Sequence, residues 1–338
     1  MLKKLNYSNS LLDSYGRRID YLRISVTDRC NFRCTYCMPE RMKFLPKKDI
    51  LTFEEMTSLC VKFINRGIRK IRITGGEPLV RKGILDFIKG LSLYLGNGQL
   101  EEITMTTNGS LLEESANQLF ENGIKRINVS LDSMNKERFH KITRRDNLDQ
   151  VLKGIYAAKN AGIKIKINTV ALKDENIDEI PEIIKWAHSE NFDISLIETM
   201  PMGEIEGDRF NQYFSLTDMR KILDKHFTFE ESNYETAGPS KYFFIKETKG
   251  RLGLITPLSN NFCSNCNRIR ITATGMLYMC LGQNDNIDFR DIIRMKDVKL
   301  IDKAIDIAMR IKPEKHDFLI SEKDQKPAVN RHMSVTGG

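Results

Sequence analysis

Three closely spaced cysteines are the first candidates for chemistry in this sequence. Cys30, Cys34 and Cys37 form a C-x3-C-x2-C pattern, and the next cysteine, Cys60, falls on the apolar face of a predicted helix, where we interpret it as a core residue. An electron-transfer iron–sulfur cluster takes four thiolates. Three ligands leave one iron open, as in a catalytic rather than a structural metal site. The spacing therefore predicts a reactive cluster at this loop.

A second set of three cysteines lies near the other end of the chain. Cys263, Cys266 and Cys280 form a C-x2-C-x13-C pattern. A structural zinc site is the alternative, but it needs a fourth ligand, and the nearest histidines in sequence, His226 and His316, are poorly placed for it. We favour a second three-cysteine cluster with an open iron.

Two arginines follow the second cysteine set at the spacing of a strand. Arg268 and Arg270 are separated by one residue, so their side chains point to the same face. Guanidinium groups bind phosphates through paired hydrogen bonds, which suggests a phosphate clamp. The alternative is an ordinary solvated pair on the surface.

The elements that would carry these residues follow a repeated β-α pattern. Four junctions, at Gly67, Gly123, Gly162 and Asn191, each end a helix and begin a strand. About six such units predict an α/β fold: an incomplete (β/α)6 TIM-like barrel over residues 1–203. After Gly203 the repeat stops, and residues 204–338 are predicted to form a C-terminal extension that carries the second cluster.

The predicted strands alternate between an apolar face and a polar face. If helices cover the apolar face, the polar face forms a wet, partly cationic interior that suits a bound anion. The alternative is an open sheet whose polar face meets solvent, although parallel sheets are normally covered on both faces. The polar face carries Arg23, Ser25, Arg72, Thr74, Thr104, Thr106, Asn128, Ser130, Lys166 and Asn168.

Composition limits the class of protein and its partners. The sequence has no apolar run of bilayer length and no signal-peptide pattern at its start, so we expect a cytoplasmic protein without membrane association. The net charge of +8 suggests an anionic partner, either a polyphosphate or a nucleic acid. No Lys/Arg block is long enough for a nucleic-acid tail, so we expect no nucleic acid.

The first cysteine loop and a later glycine pair together resemble a known superfamily. C-x3-C-x2-C, with Tyr36 beside the last cysteine, is followed after the next strand by G-G-E-P at residues 75–78. This combination resembles the radical S-adenosylmethionine superfamily. The resemblance implies a [4Fe–4S] cluster whose open iron binds S-adenosylmethionine, and electron transfer that cleaves the sulfonium to a 5′-deoxyadenosyl radical.

Longer motifs are similar to those of the GTP 3′,8-cyclase family, the first enzymes of molybdenum-cofactor biosynthesis. They include L-R-I-S-V-T-D-R-C-N-F-R-C, T-T-N-G, R-I-N-V-S-L-D, G-L-I-T-P and the terminal Gly337-Gly338. The resemblance implies two [4Fe–4S] clusters and a radical that removes the ribose 3′ hydrogen of GTP. The C3′ radical then attacks C8, and reduction and protonation give 3′,8-cyclo-7,8-dihydro-GTP.

The resemblance also assigns roles to residues. Contacts to S-adenosylmethionine are implied for Tyr36, Gly76, Ser130 and Met200, and contacts to GTP for Arg23, Arg72, Thr106, Lys166, Arg268 and Arg270. Catalytic roles are implied for Arg268, Arg270, Gly337 and Gly338, although composition alone would make the last two a frayed tail. Ser195 departs from the family, which often has an arginine there.

Partners are implied in the same way: an external one-electron donor, and a downstream cyclic pyranopterin monophosphate synthase that receives the product. A monomer or a homodimer is compatible with the sequence. Three alternatives differ in class: a radical enzyme that acts on a peptide, an RNA-modifying enzyme, and an iron–sulfur electron carrier. They predict, respectively, a peptide-binding domain, a basic surface interleaved with aromatics, and a fourth cluster ligand.

Overall fold

The computed structural model describes residues 10–295, 297–320 and 326–337 of the chain. Its strands are β1 (Leu11–Leu12), β2 (Arg18–Ile19), β3 (Tyr21–Ser25), β4 (Lys70–Thr74), β5 (Glu102–Thr107), β6 (Arg126–Ser130), β7 (Lys164–Ala171), β8 (Asp193–Glu198), β9 (Phe229–Glu231), β10 (Lys241–Ile245), β11 (Gly250–Ile255), β12 (Arg268–Ile271), β13 (Met276–Tyr278) and β14 (Asn286–Asp288). Its α-helices are α1 (Phe53–Asn65), α2 (Ile84–Gly96), α3 (Leu112–Glu121), α4 (Lys136–Thr143), α5 (Leu148–Asn160), α6 (Ile180–Ser189), α7 (Arg209–Gln212), α8 (Leu216–Leu223), α9 (Arg290–Arg294), α10 (Val298–Ile311) and α11 (Met333–Thr336). None of the helices in this part of the chain is long and apolar enough to cross a membrane.

One mixed sheet of twelve strands organises the molecule, in the order β14-β13-β12-β3-β4-β5-β6-β7-β8-β11-β10-β9. Strands β3 to β8 are neighbours in chain order and run parallel. The C-terminal region extends both ends of this run, because β12 pairs in parallel with β3 and β11 pairs in parallel with β8. The predicted α/β class is confirmed.

The junctions between helices and strands have the predicted backbone conformation. Gly67, Gly123 and Gly162 have φ of 104°, 91° and 86°, and Asn191 has φ of 61°. Glycine and asparagine tolerate this left-handed conformation better than other residues, so they end each helix and turn the chain into the next strand. The same junction therefore recurs four times along the parallel run.

Both faces of the parallel run are buried. Ile71, Ile73 and Ile127 are fully buried in the apolar core. Arg72 and Lys166, on the polar face, are each only 5% exposed. The alternative of an open sheet with a solvated polar face is therefore wrong.

Candidate active site

The first cysteine set (Cys30, Cys34 and Cys37) follows the carboxyl end of β3, where parallel α/β sheets build their active sites. It lines a cavity, the first cavity, whose empty space, including the part open to solvent, is about 980 Å³. The four residues for which the sequence implies contacts to S-adenosylmethionine also line this cavity: Tyr36, Gly76, Ser130 and Met200.

The glycine pair after β4 packs directly against the cysteine loop. A Cβ atom on Gly76 would lie 2.3 Å from the carbonyl oxygen of Arg29, and one on Gly75 would lie 2.7 Å from that of Thr27. The amides of Gly76 and Glu77 donate hydrogen bonds of 2.8 Å to the Thr27 and Arg29 carbonyls. Only glycine allows this approach, so G-G-E-P holds the cysteine loop in place.

Glu77 is completely buried behind this contact. Its carboxylate accepts hydrogen bonds from the Thr107 hydroxyl (2.8 Å) and from the amides of Asn108 (2.7 Å) and Leu79 (3.0 Å). Burial raises the pKa of Glu77 to about 7, against the lowering effect of these three donors. The side chain therefore joins the ends of β4 and β5 beneath the first cavity.

The thiols of the first set are suited to a metal rather than to free thiolate chemistry. Burial is the main cause that raises the pKa of Cys30 to about 11 and that of Cys37 to about 12. A bound metal deprotonates such thiols. No group of three His, Cys, Asp or Glu in the described residues could hold a single metal ion. A four-iron cluster binds each thiolate on a different iron, so its ligands lie farther apart than those of a single ion, and the shared cavity of the three cysteines is compatible with such a set.

Asp132 is a residue of this site that the sequence analysis missed. Its Oδ2 accepts a 2.8 Å hydrogen bond from the Tyr36 hydroxyl, and its Oδ1 accepts one of 2.8 Å from the Val170 amide. Burial raises the pKa of Asp132 to about 6. The contact orients Tyr36 from the end of β6, two residues beyond Ser130. The R-I-N-V-S-L-D motif contains Asp132 as well as Ser130, so the sequence does carry a signal for it.

The second cysteine set (Cys263, Cys266 and Cys280) lines another cavity, the second cavity, of about 970 Å³. All six residues for which the sequence implies contacts to GTP line the same cavity: Arg23, Arg72, Thr106, Lys166, Arg268 and Arg270. The two cavities are adjacent, because Thr106, Asn168, Ile197 and Met200 line both.

The register of the sheet concentrates positive charge at the second cavity. Arg23 on β3 is paired with Arg270 on β12 at one side and with Arg72 on β4 at the other. Adjacent strands lie about 4.8 Å apart, so these like charges repel one another. Burial, then Arg270 and Arg72, lower the pKa of Arg23, and burial and Arg268 lower that of Arg270 to about 10. No described aspartate or glutamate lines the cavity. The arrangement suits a polyanion.

Two buried tyrosines, also missed from the sequence, support these cations. The Tyr21 hydroxyl accepts a hydrogen bond from Arg72 Nε, and the Tyr242 hydroxyl lies 3.1 Å from Lys166 Nζ. Tyr242 comes from β10, far from β7 in sequence, and only the folded sheet brings the pair together. The hydroxyl groups of Ser195 and Ser240 form a 3.0 Å hydrogen bond, and Ser195 does not line the second cavity.

The two cysteine sets differ in their electrostatic surroundings. Burial raises the pKa of Cys266, but Arg268 and Lys312 outweigh that effect and lower it to about 6. Burial raises the pKa of Cys280. The second set therefore lies among cations, whereas burial dominates at the first set.

The C-terminal segment lies against the same sheet rather than fraying. Met202 forms a β-bridge with Val329, and the Ser334 carbonyl lies 3.5 Å from the Ser25 hydroxyl. Gly337 has φ of 73°, and a Cβ atom there would lie 1.9 Å from Thr74 Oγ1. Gly338, predicted with Gly337 as catalytic, lies outside the described residues.

Comparison with known proteins places this geometry in a family. The family model for the radical SAM superfamily matches residues 24–187, and that for molybdenum cofactor synthesis C matches residues 192–318. Proteins named GTP 3′,8-cyclase from Brucella ovis and Brucella canis are each 56% identical over 97% of this chain and 96% of their own.

Solved structures share the fold at low sequence identity. SuiB of Streptococcus suis, crystallised with S-adenosylmethionine, has a TM-score of 0.61 and 14% identity and covers 95% of this chain and 78% of its own. A further structure of SuiB, bound to the precursor peptide SuiA, has a TM-score of 0.60. This likeness shows the fold alone. The sequence relatives decide the family: the chain belongs to the GTP 3′,8-cyclases of the radical SAM superfamily.

Proposed function

We propose that this protein cyclises GTP to 3′,8-cyclo-7,8-dihydro-GTP, the first step of molybdenum-cofactor biosynthesis. The observation that carries the proposal is the pair of adjacent cavities. One is lined by three thiols, and the other is lined by five buried cations and three thiols. A radical source and a nucleoside triphosphate bound side by side are what an intramolecular cyclisation requires.

Cys30, Cys34 and Cys37 would hold a [4Fe–4S] cluster, and Tyr36, Gly76, Ser130 and Met200 would contact S-adenosylmethionine. When bound, this pair supplies the 5′-deoxyadenosyl radical that removes the ribose 3′ hydrogen. The chain's own residues would orient the cysteine loop and the cofactor contacts and would exclude water. Asp132 fixes the Tyr36 hydroxyl, and the Gly75-Gly76 contact fixes the cysteine loop.

At the second cavity the cations would neutralise the triphosphate. No described aspartate or glutamate lines this cavity, so a bound anion would lower the free energy of the cations that line it: Arg23, Arg72, Lys166, Arg268 and Arg270. Thr106 would contact GTP at the boundary of the two cavities. Cys263, Cys266 and Cys280 would hold a second [4Fe–4S] cluster, which would supply a binding position for the guanine, and the family resemblance implies a catalytic role for Gly337 and Gly338.

The architecture we propose is an incomplete (β/α)6 TIM-like barrel, residues 1–203, closed by an extension, residues 204–338. The support is that the two end strands of the parallel run, β3 and β8, contribute Arg23 and Ile197 to one cavity. The external electron donor, transfer of the product to cyclic pyranopterin monophosphate synthase, the oligomeric state and a cytoplasmic location stay predictions.

The test is anaerobic reconstitution of the full chain. We expect about eight irons per chain, cleavage of S-adenosylmethionine that depends on GTP, and a cyclised nucleotide detected by mass spectrometry. The proposed reaction would be refuted if S-adenosylmethionine were cleaved at the same rate with and without GTP and no cyclised product formed.

A variant separates the two cysteine sets. Cys263→Ala should retain cleavage of S-adenosylmethionine and lose the cyclised product, because the radical source is intact and the substrate is not oriented. Cys60→Ala is the matched control, since Cys60 is fully buried in the apolar core away from both cavities. Normal cyclisation by Cys263→Ala would show that the second set does not serve the substrate.

A further inference from the structure

Lys312, the residue that follows α10, is a buried lysine behind the second cysteine set. It is 2% exposed and does not line the second cavity, so it is not placed to contact the substrate. Its Nζ donates hydrogen bonds to the carbonyl oxygens of Met279 (2.7 Å) and Arg268 (3.1 Å) and lies 3.8 Å from Cys266 Sγ. One ammonium group therefore joins both segments that carry Cys266 and Cys280.

The groups around the Lys312 ammonium decide which of them can serve as its counter-ion. Among the described residues no carboxylate forms an ion pair with it, and the anionic groups that act on it are Cys266 and Cys280. Arg17 and Arg270 act on it with the same sign of charge. A buried ammonium that meets only neutral carbonyls is costly, so the two thiolates are its available counter-ions.

Two other cations hold the same site through its backbone. Arg17 Nη1 donates a 2.8 Å hydrogen bond to the Cys263 carbonyl, and Arg331 Nη2 donates one of 3.2 Å to the Cys280 carbonyl. Each cysteine of the second set is thus adjacent to a cation from a distant part of the chain. Of these three cations in the described residues, Lys312 alone lies near a cysteine sulfur, and Arg268, whose Nη2 lies 3.9 Å from Cys266 Sγ, is a further cation at that sulfur.

We propose that Lys312 is a positioning residue and the counter-ion of the second cysteine set. Its charge stabilises the thiolates for cluster binding and raises the reduction potential of the bound cluster. Groups around the ligands orient them, and net charge and hydrogen bonds to sulfur set the potential of an iron–sulfur cluster. This inference rests on the second cluster of the proposed function.

The experiment uses the full chain with Cys30, Cys34 and Cys37 replaced by alanine, so that any cluster is held by the second set. After anaerobic reconstitution, this parent and the control Lys315→Met should each bind about four irons. Lys315 is three residues away and exposed. Lys312→Met should bind less than half the parent's iron or hold a cluster of more negative midpoint potential, measured by redox titration followed by electron paramagnetic resonance.

Lys312→Gln tests charge separately from packing, because glutamine keeps an N–H donor for the carbonyls. Its iron content and midpoint potential should match those of Lys312→Met. If circular dichroism shows that Lys312→Met is unfolded, Lys312→Gln alone tests the counter-ion role. Iron content and potential equal to the parent's in Lys312→Gln would overturn the counter-ion role. A parent that binds no iron would instead refute the second cluster itself, and the inference with it.

Discussion

Glu77 illustrates how single residues at this site balance burial against hydrogen bonding. Its carboxylate is inaccessible to water yet accepts three hydrogen bonds, and burial raises its pKa to about 7 from 4.5. A carboxyl whose pKa is higher in the folded than in the unfolded state binds its proton more tightly when folded. The protein is therefore more stable at low pH with respect to this group.

We expect the free energy of unfolding to lose a contribution of about 3 kcal/mol between pH 4.5 and pH 7 as Glu77 ionises. Glu77→Gln should lack this component, so the free energy of unfolding of the parent minus that of the variant should fall by this amount as the pH rises through that range. Urea unfolding of the cluster-free chain at several pH values measures it. Glu54→Gln, at an exposed position on α1, is the control. A difference that is constant with pH would contradict the assignment.

At the scale of residues, the sequence predicted those side chains whose positions follow from the alternation of side chains along one strand. Strand alternation predicts Arg23, Arg72 and Lys166 on the polar face, the family resemblance implies their contact with GTP, and the structure brings all three to one cavity. Lys312 and Tyr242 could not be found in this way. Their partners are more than thirty residues away in sequence, and no local pattern marks them.

At the scale of elements, the repeated junctions were predictable and the sheet edges were not. Gly67 and its three counterparts mark helix ends by their own conformational freedom. The parallel pairing of β12 with β3 depends instead on a contact between residues 268–271 and residues 21–24. Nothing local in either strand specifies such a partner, so the extension was predicted without its place in the sheet.

The segment around Gly203 is in contact with the C-terminal segment. The Gly203 amide donates a 2.8 Å hydrogen bond to the Val329 carbonyl. Gly203 has φ of 63°, and a Cβ atom there would lie 2.4 Å from His332 Nδ1 and 2.8 Å from His332 Cα. Any side chain at this position must displace His332 and with it the start of α11.

Gly203→Ala should therefore release the C-terminal segment. We expect the amides of Val335 and Gly337 to exchange with solvent at least about tenfold faster, since about 1.4 kcal/mol lost at the contact gives that factor. Gly207→Ala is the control: it also has a positive φ (113°) but open space at the Cβ position. Hydrogen exchange followed by mass spectrometry measures both. Equal exchange in the two variants would mean that strain, not the contact with His332, is responsible.

At the scale of the molecule, the net charge of +8 suggests an anionic ligand. The fold places five of the chain's cations around one cavity. Arg23, Arg72, Lys166, Arg268 and Arg270 are each less than 10% exposed around one cavity. Composition alone could not separate such an interior from a basic surface. Only the register that aligns Arg270, Arg23 and Arg72 across three strands shows that the cations face each other.

This concentration of positive charge should lower the free energy of unfolding of the protein when no GTP is bound. Burial lowers the pKa of Lys166 and Arg72 lowers it further, although Tyr242 acts in the opposite direction. Lys166→Met removes one buried charge, so we expect the cluster-free chain to gain about 1 kcal/mol in its free energy of unfolding. The same variant should bind GTP about ten- to a hundredfold more weakly, because hydrogen bonds to charged groups contribute about 1.5–3 kcal/mol.

Lys164→Met makes the same chemical change two residues earlier on β7, at an exposed position, and should alter neither quantity. Urea unfolding reports the stability, and calorimetry with GTP on the reconstituted protein without S-adenosylmethionine reports the binding. If Lys166→Met instead destabilises the empty chain, the hydrogen bond to Tyr242 outweighs the repulsion. Weaker binding together with higher stability would show that repulsion among the cations, relieved by the triphosphate, opposes folding of the empty protein.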